Sequence, residues 1–168
     1  MSSLEEAARR VQRGDASAFR VIVEATAARL VRLSARIMGS VTEAEDVVQE
    51  AYIKAYRALV EKQFDGRSSV STWLHRIVVN ASLDARRKRK PAAPDVPLTT
   101  HGNAEEAVAL RELARLLEEL PEDQRTVLLL KTVEGMSSAE IAEVLGCSEG
   151  AVEQRLVRAR AALREKQS

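Results

Sequence analysis

Apolar residues recur along most of this chain at three- and four-residue spacing, the repeat that places side chains on one face of an α-helix. Gly14-Asp15 offers an N-cap for a helix in which Phe19, Ile22 and Val23 share a face, and Leu30, Leu33 and Ile37 continue it until Gly39-Ser40 breaks the spacing. Thr42, followed three residues later by Glu45, is a capping-box signature and opens a helix with Val47, Val48, Ala51, Tyr52, Ala55 and Leu59 as its apolar face. A loop spans residues 64–69. Beyond it, a helix from about Ser71 to Lys90 turns Trp73, Leu74, Ile77, Val78 and Ala81 inward. It ends in the run Arg86-Arg87-Lys88-Arg89-Lys90, where cations complement the helix dipole.

Residues 91–103 hold three of the four prolines and no apolar period, which predicts a flexible linker over 91–104. After it, a helix from about Ala104 to Glu119 carries Val108, Leu113, Leu116 and Leu117. Pro121 starts the next, rich in Val127, Leu128, Leu129 and Leu130, and Gly135 stops it. Ser137 and Glu140 form a second capping box, Gly146 ends a short helix and Ser148 caps a longer one, which is the pattern of a helix-turn-helix. Ala142 is small where the two helices cross, while Ile141, Leu145, Val152 and Leu156 close their shared core and Cys147 fills the turn as a small apolar residue. The chain therefore reads as all-α: two small helical domains, residues 1–90 and 105–168, joined by the linker.

Several function classes fall away. No apolar stretch approaches the roughly 20 residues that span a bilayer, and the first residues lack a signal-peptide core, so a cytoplasmic protein with no membrane insertion is expected. A single cysteine, Cys147, with two scattered histidines, His75 and His101, predicts neither a disulfide nor a metal site. No glycine-rich phosphate loop or nucleophile motif is present, so catalytic residues and cofactors are expected to be none. The net charge of +1 hides an asymmetry, since residues 1–90 carry 17 Lys and Arg against 11 Asp and Glu, and residues 91–168 carry 9 against 14. The second half can hold nucleic acid only through a local basic patch.

Its last helix supplies one, through Gln154, Arg155, Arg158, Arg160 and Arg164; the first turns of such a helix meet base edges in the major groove. In the first half, Asn80, Asp84 and Arg87 stand on one helical face, an amide in line with a guanidinium and a carboxylate able to orient either. Glu43, Glu45, Asp46 and Glu50 make an acidic surface suited to a basic partner, better than to an acidic catalytic pair.

Together the segments GDASAF (14–19), EAEDVVQEAY (43–52), STWLHRIVVNASLDARRKRK (71–90), LPEDQRTVLLL (120–130) and the helix-turn-helix resemble, in order, the extracytoplasmic-function (ECF) sigma factors of the sigma-70 family. The resemblance implies sigma domain 2 over 1–90 and sigma domain 4 over 105–168, with core RNA polymerase (β′ clamp helices and β flap) and promoter DNA as partners. An anti-sigma factor is the implied regulator. It places Glu45, Asp46, Val48, Gln49 and Glu50 on the polymerase-docking surface. Phe64, Asp65, Arg67, Ser68, Asn80, Asp84, Arg87 and Lys88 fall at the −10 element, where a non-template base is flipped, and Ser148, Gln154, Arg155, Arg158 and Arg160 at the −35 element. Trp73, beside Leu74 and Ile77 at helical spacing, reads as a core residue, with a melting wedge as the alternative. Two positions depart from the family's pattern: Glu43, where Asp is usual, and Glu153, where a basic or polar residue is common. Two alternatives are a dimeric helix-turn-helix regulator that binds palindromes without polymerase, and a helical enzyme using the acidic cluster.

Overall fold

Ser2 accepts a hydrogen bond from the Glu5 amide and begins α1 (Ser3–Gln12), a helix that the sequence reading did not anticipate. Its inward residues are the small Ala7, Ala8 and Val11, all at most 2% exposed, so it lies close against its neighbours. Gly14, at φ 102°, turns the chain into a 3₁₀ turn (Ala16–Ala18) and then α2 (Phe19–Met38). Asp15 precedes that turn without capping it through its side chain. Its carboxylate instead accepts from the Ser17 hydroxyl at 2.5 Å and the Arg10 guanidinium at 2.6 and 3.0 Å. Those two partners, Ser17 first, hold the Asp15 carboxyl below its ordinary pKa.

Gly39 closes α2 in the left-handed conformation and sets the frame of the next cap. The cap is Ser40, whose hydroxyl accepts the Glu43 amide at 3.3 Å, so α3 (Val41–Val60) starts ahead of the predicted Thr42 box. Ser69 caps α4 (Val70–Lys88), taking the Thr72 amide at 3.1 Å. These four helices enclose Ile22, Leu30, Leu59, Val70, Leu74 and Val78. Polar groups inside are satisfied: Ser34 and Ser82 bond at 2.7 Å between α2 and α4. Thr26 donates its one proton to the Ile22 carbonyl, so the Tyr52 hydroxyl donates to Thr26 at 2.7 Å.

The structure is a computed structural model that describes residues 2–89 and 104–167, and the predicted linker lies outside them except for Ala104. The described residues form two units, one on each side of that segment, and contain helices without strands. The second unit holds α5 (Ala104–Glu118), α6 (Glu122–Thr132), α7 (Ser138–Leu145) and α8 (Glu149–Gln167). Ile141, Val144, Val152 and Leu156 are each at most 1% exposed and join α7 to α8; Val144 occupies the place expected of Leu145, which is only half-buried. The Ser137–Glu140 capping box forms in both directions, and Gly146 ends α7 at φ 68°. Arg125 of α6 is buried and donates to the Leu120 carbonyl at 3.2 Å, closing the carbonyl end left by α5.

Candidate nucleic-acid interface

In the first unit the loop over residues 64–69 is ordered by its own short-range bonds. Asp65 accepts the Arg67 amide at 3.0 Å and pairs with its guanidinium at 3.3 Å around Gly66, whose φ of 78° an L side chain rarely adopts. Asp65 and Arg67 are exposed, and Ser68 is half-buried. Phe64 is turned inward: its ring lies 4.7 Å from that of Trp73, and both pack on the hydrophobic core. Phe64 and Trp73 thus form a platform beneath the loop, and the side chains that the loop leaves towards solvent are Asp65, Arg67 and, in part, Ser68.

On α4, Asn80, Asp84 and Arg87 are exposed on one face, and Arg87 pairs with Asp84 at 3.2 Å. Both partners are more than half exposed, so the pair is weak. The basic run divides in two. Lys88 points to solvent, whereas Arg86 donates to the Ile37 carbonyl at 2.5 Å and Arg89 donates to the Met38 carbonyl and pairs with Glu43. Lys90 lies outside the described residues. Two of these cations therefore satisfy the last carbonyls of α2, and the exposed cations of the run are Arg87 and Lys88.

The acidic segment of α3 exposes Glu45, Asp46, Gln49 and Glu50. Val48 is 2% exposed and packs in the core, so it is removed from the docking surface that the resemblance assigned to it. Ile53, 52% exposed, lies one and two turns beyond Gln49 and Asp46 on that stripe. Sequence reading passed over it. Its signal is an isoleucine out of phase with buried Tyr52 and Ala55.

In the second unit α8 exposes Gln154 and Arg158, four residues apart and aligned along one face. Arg160 is exposed on a different flank, roughly 160° around the axis from Arg158. Arg155 is drawn inward, donating to Cys147 Sγ at 3.4 Å and facing Asp123 at 3.6 Å. It braces the turn against α6 and is poorly placed to read a base, and Cys147 is its acceptor rather than mere apolar filler. Ser148 accepts the Ala151 amide at 3.1 Å, which leaves its own proton available for a phosphate. Val157, 60% exposed, stands among these polar residues, an apolar side chain suited to a thymine methyl. Glu153 is exposed and accepts from the Ser138 hydroxyl of α7.

A four-helix unit with a partly basic surface followed by a helix-turn-helix unit has known counterparts. Residues 22–91 match Sigma-70 region 2 and residues 110–163 match Sigma-70, region 4. The chain is 37% identical to the ECF RNA polymerase sigma-E factor of Escherichia coli (strain K12), covering 94% of this chain and 90% of that one. It is 36% identical to the ECF RNA polymerase sigma factor SigW of Bacillus subtilis (strain 168), covering 94% and 92%. Among solved structures, CnrH in complex with the cytosolic domain of CnrY superposes with a TM-score of 0.77 at 30% identity, covering 99% of this chain and 97% of that one. The sigma factor RpoE of Bartonella quintana, solved with the anti-sigma factor NepR, shares the fold with a TM-score of 0.72 at 24% identity, covering 88% and 94%. Regions 2 and 4 in this order define a promoter-recognition subunit of the sigma-70 class. The chain belongs to the ECF sigma factors of RNA polymerase.

Proposed function

We propose that the chain divides promoter recognition between residues 1–90, acting at the −10 element, and residues 105–168, acting at the −35 element, and that phosphoryl transfer is left to the polymerase. The observation that supports it best is the pairing, in one chain, of two exposed reading faces: Gln154 and Arg158 on α8, and Asn80, Asp84 and Arg87 on α4. Gln154 and Arg158 meet base edges in the major groove while Ser148 and Arg160 hold backbone phosphates. At the −10 element, Asp65, Arg67 and Ser68 of the loop receive an extruded base, and Arg87 and Lys88 hold the strand. Duplex opening costs about 1.4 kcal/mol per base-pair step, and extrusion a few more, so contacts to the captured strand and polymerase must offset both.

The exposed acidic stripe Glu45, Asp46, Gln49 and Glu50, extended by Ile53, is the proposed docking surface for the β′ clamp helices, with the second unit reaching the β flap. Among the described residues no helix is long and apolar enough to cross a membrane. As a partner of RNA polymerase, the chain is proposed to work in the cytoplasm. CnrH is bound by a cytosolic domain and RpoE by an anti-sigma factor; a protein of that kind is the proposed regulator.

Transcription by purified core polymerase from a promoter library randomised at both elements tests the reading. Transcripts should require this chain and converge on one −35 and one −10 sequence. Tight palindrome binding by the chain alone, with no stimulation of polymerase, would instead establish the dimeric regulator.

A further inference from the structure

The loop proposed to receive the −10 base is held at both ends by α1. Gln12 donates its side-chain amide to the Phe64 carbonyl at 3.0 Å, where the loop begins, and Glu5 accepts the Val70 amide at 2.8 Å, where the loop ends and α4 starts. Both bonds are partly buried, and both cross more than 50 residues of sequence. Seven residues separate Glu5 from Gln12, close to two helical turns, so the two side chains leave α1 on one side about 10 Å apart. The Val70 amide is among the first N–H groups of α4, which have no partner within the helix. Ser69 serves Thr72, leaving Val70 to Glu5. Ala7, Ala8 and Val11 between the two anchors are small enough to bring α1 within reach. This helix lies ahead of the residues matched by region 2.

We propose that Glu5 and Gln12 are positioning residues for −10 recognition: α1 is a strap that fixes the span of the loop from Phe64 to Val70, and so the geometry of Asp65, Arg67 and Ser68. The inference rests on the proposed role of that loop. With the strap in place, the loop's ordering entropy is met on folding, and base capture does not have to supply it. Without it, Asp65 and Arg67 still pair with each other, but at no fixed place relative to Asn80 and Arg87.

The test uses full-length protein with core polymerase on the promoter selected from the randomised library, beside copies with one base changed in the −10 or in the −35 element. Glu5→Ala with Gln12→Ala should reduce the preference for the selected −10 base about tenfold, and either change alone about threefold, while the −35 preference stays unaltered. Glu5→Gln keeps an acceptor oxygen and should restore the preference, a rescue that a general loss of stability would not produce. Hydrogen exchange at the Val70 amide should rise in Glu5→Ala and not in Glu5→Gln. An unchanged −10 preference in the double variant overturns the strap, whether or not its melting temperature falls. If the double variant does not fold, Gln12→Ala alone decides by the same criterion. Asp65→Ala with Arg67→Ala is run in parallel. Loss of −10 preference there, without loss in the α1 variants, removes the strap and keeps the loop's role; no loss in either set removes both.

Discussion

Arg89 at the end of α4 reaches back across the unit to pair with Glu43 in the first turn of α3, and the same guanidinium donates to the Met38 carbonyl at the end of α2. One side chain thereby joins three helix ends of complementary polarity: a carbonyl terminus, an acidic first turn and a basic last turn. It also links the element proposed to dock on polymerase to the one proposed to hold DNA. Glu43, where the family usually has aspartate, supplies the longer carboxylate at this joint.

Arg89→Ala should therefore lower the stability of the first unit by about 1.5–3 kcal/mol, the range for hydrogen bonds to charged groups. Lys88→Ala, at an exposed position, should leave the melting temperature within about a degree or two and reduce the salt dependence of promoter binding by roughly one phosphate contact. Thermal melting of the two variants, with one salt titration of the holoenzyme, separates the roles. Equal melting temperatures would show that Arg89 is as dispensable to the fold as Lys88.

The acidic stripe makes a second expectation. Asp46→Arg with Gln49→Ala should weaken core-polymerase binding by about 2–5 kcal/mol, the range for truncating a central interface charge, while helical content is preserved because both side chains are exposed. Ile53→Ser should weaken binding too, with little effect on folding. Val48→Ser should do the reverse and unfold the unit, since Val48 lies in the core. Affinity measured on folded variants decides, and unaltered affinity for both surface variants would place docking elsewhere.

Helical periodicity made the large elements legible: Leu30, Leu33, Val78, Ile141 and Leu156 all point inward as their spacing requires. Helix α1 escaped because its buried face is built from Ala7, Ala8 and Val11, too small to stand out against exposed alanines elsewhere. The cap of α3 was misread because Ser40–Glu43 and Thr42–Glu45 are overlapping box signatures, and only the turn at Gly39 selects the first. For the proposed reading faces, the sequence shows residue types more clearly than positions. Arg86, Arg89 and Arg155 look like DNA-binding cations in sequence, but each is engaged by a carbonyl, carboxylate or sulfur that is distant in the chain or across a turn. Such long-range satisfaction leaves no local trace. A basic residue carries the same letter whether it faces phosphate or a helix end.

At the corner between α1 and α2, the lowered pKa of Asp15 gives a pH dependence. A carboxyl depressed in the folded state contributes stability above its ordinary value of 3.8, and that contribution is lost as pH falls through the lower, folded value. Asp15→Asn should thus melt earlier than the parent at neutral pH, and the difference should shrink once the medium is acidic enough to protonate Asp15 in both states. A difference that persists undiminished in acid would assign the effect to packing rather than charge.

On α8, Arg158 and Arg160 occupy different flanks and should fail differently. Arg158→Ala should cost about 1–3 kcal/mol on the selected −35 sequence and much less on one with the contacted base replaced. Arg160→Ala should weaken both alike and lower the salt slope by about one unit. Holoenzyme binding to the two promoters at several salt concentrations provides both readings. A uniform loss for Arg158→Ala would make it a phosphate contact and pass base reading to Gln154.

Glu153 carries the last expectation, because a carboxylate beside the groove repels phosphate unless a donor faces it. The Ser138 hydroxyl already donates to one of its oxygens, which steers the side chain over the helix-turn-helix and leaves the other oxygen to accept a hydrogen bond. The only base donor in the major groove that lacks an adjacent acceptor of its own is the cytosine amino group, so a −35 element containing cytosine at the facing position is expected. Glu153→Gln keeps the acceptor and adds a donor, and should broaden the preference at that one position; Glu153→Arg should shift it towards guanine, the base read by guanidinium. Ser138→Ala should blur the cytosine preference and leave its identity unchanged, since it frees the carboxylate without removing it. Selection from a library randomised over the −35 element, run with the parent and the three variants, measures all of these. An identical preferred sequence for parent, Glu153→Gln and Glu153→Arg would show that Glu153 faces solvent in the complex and takes no part in choosing the promoter.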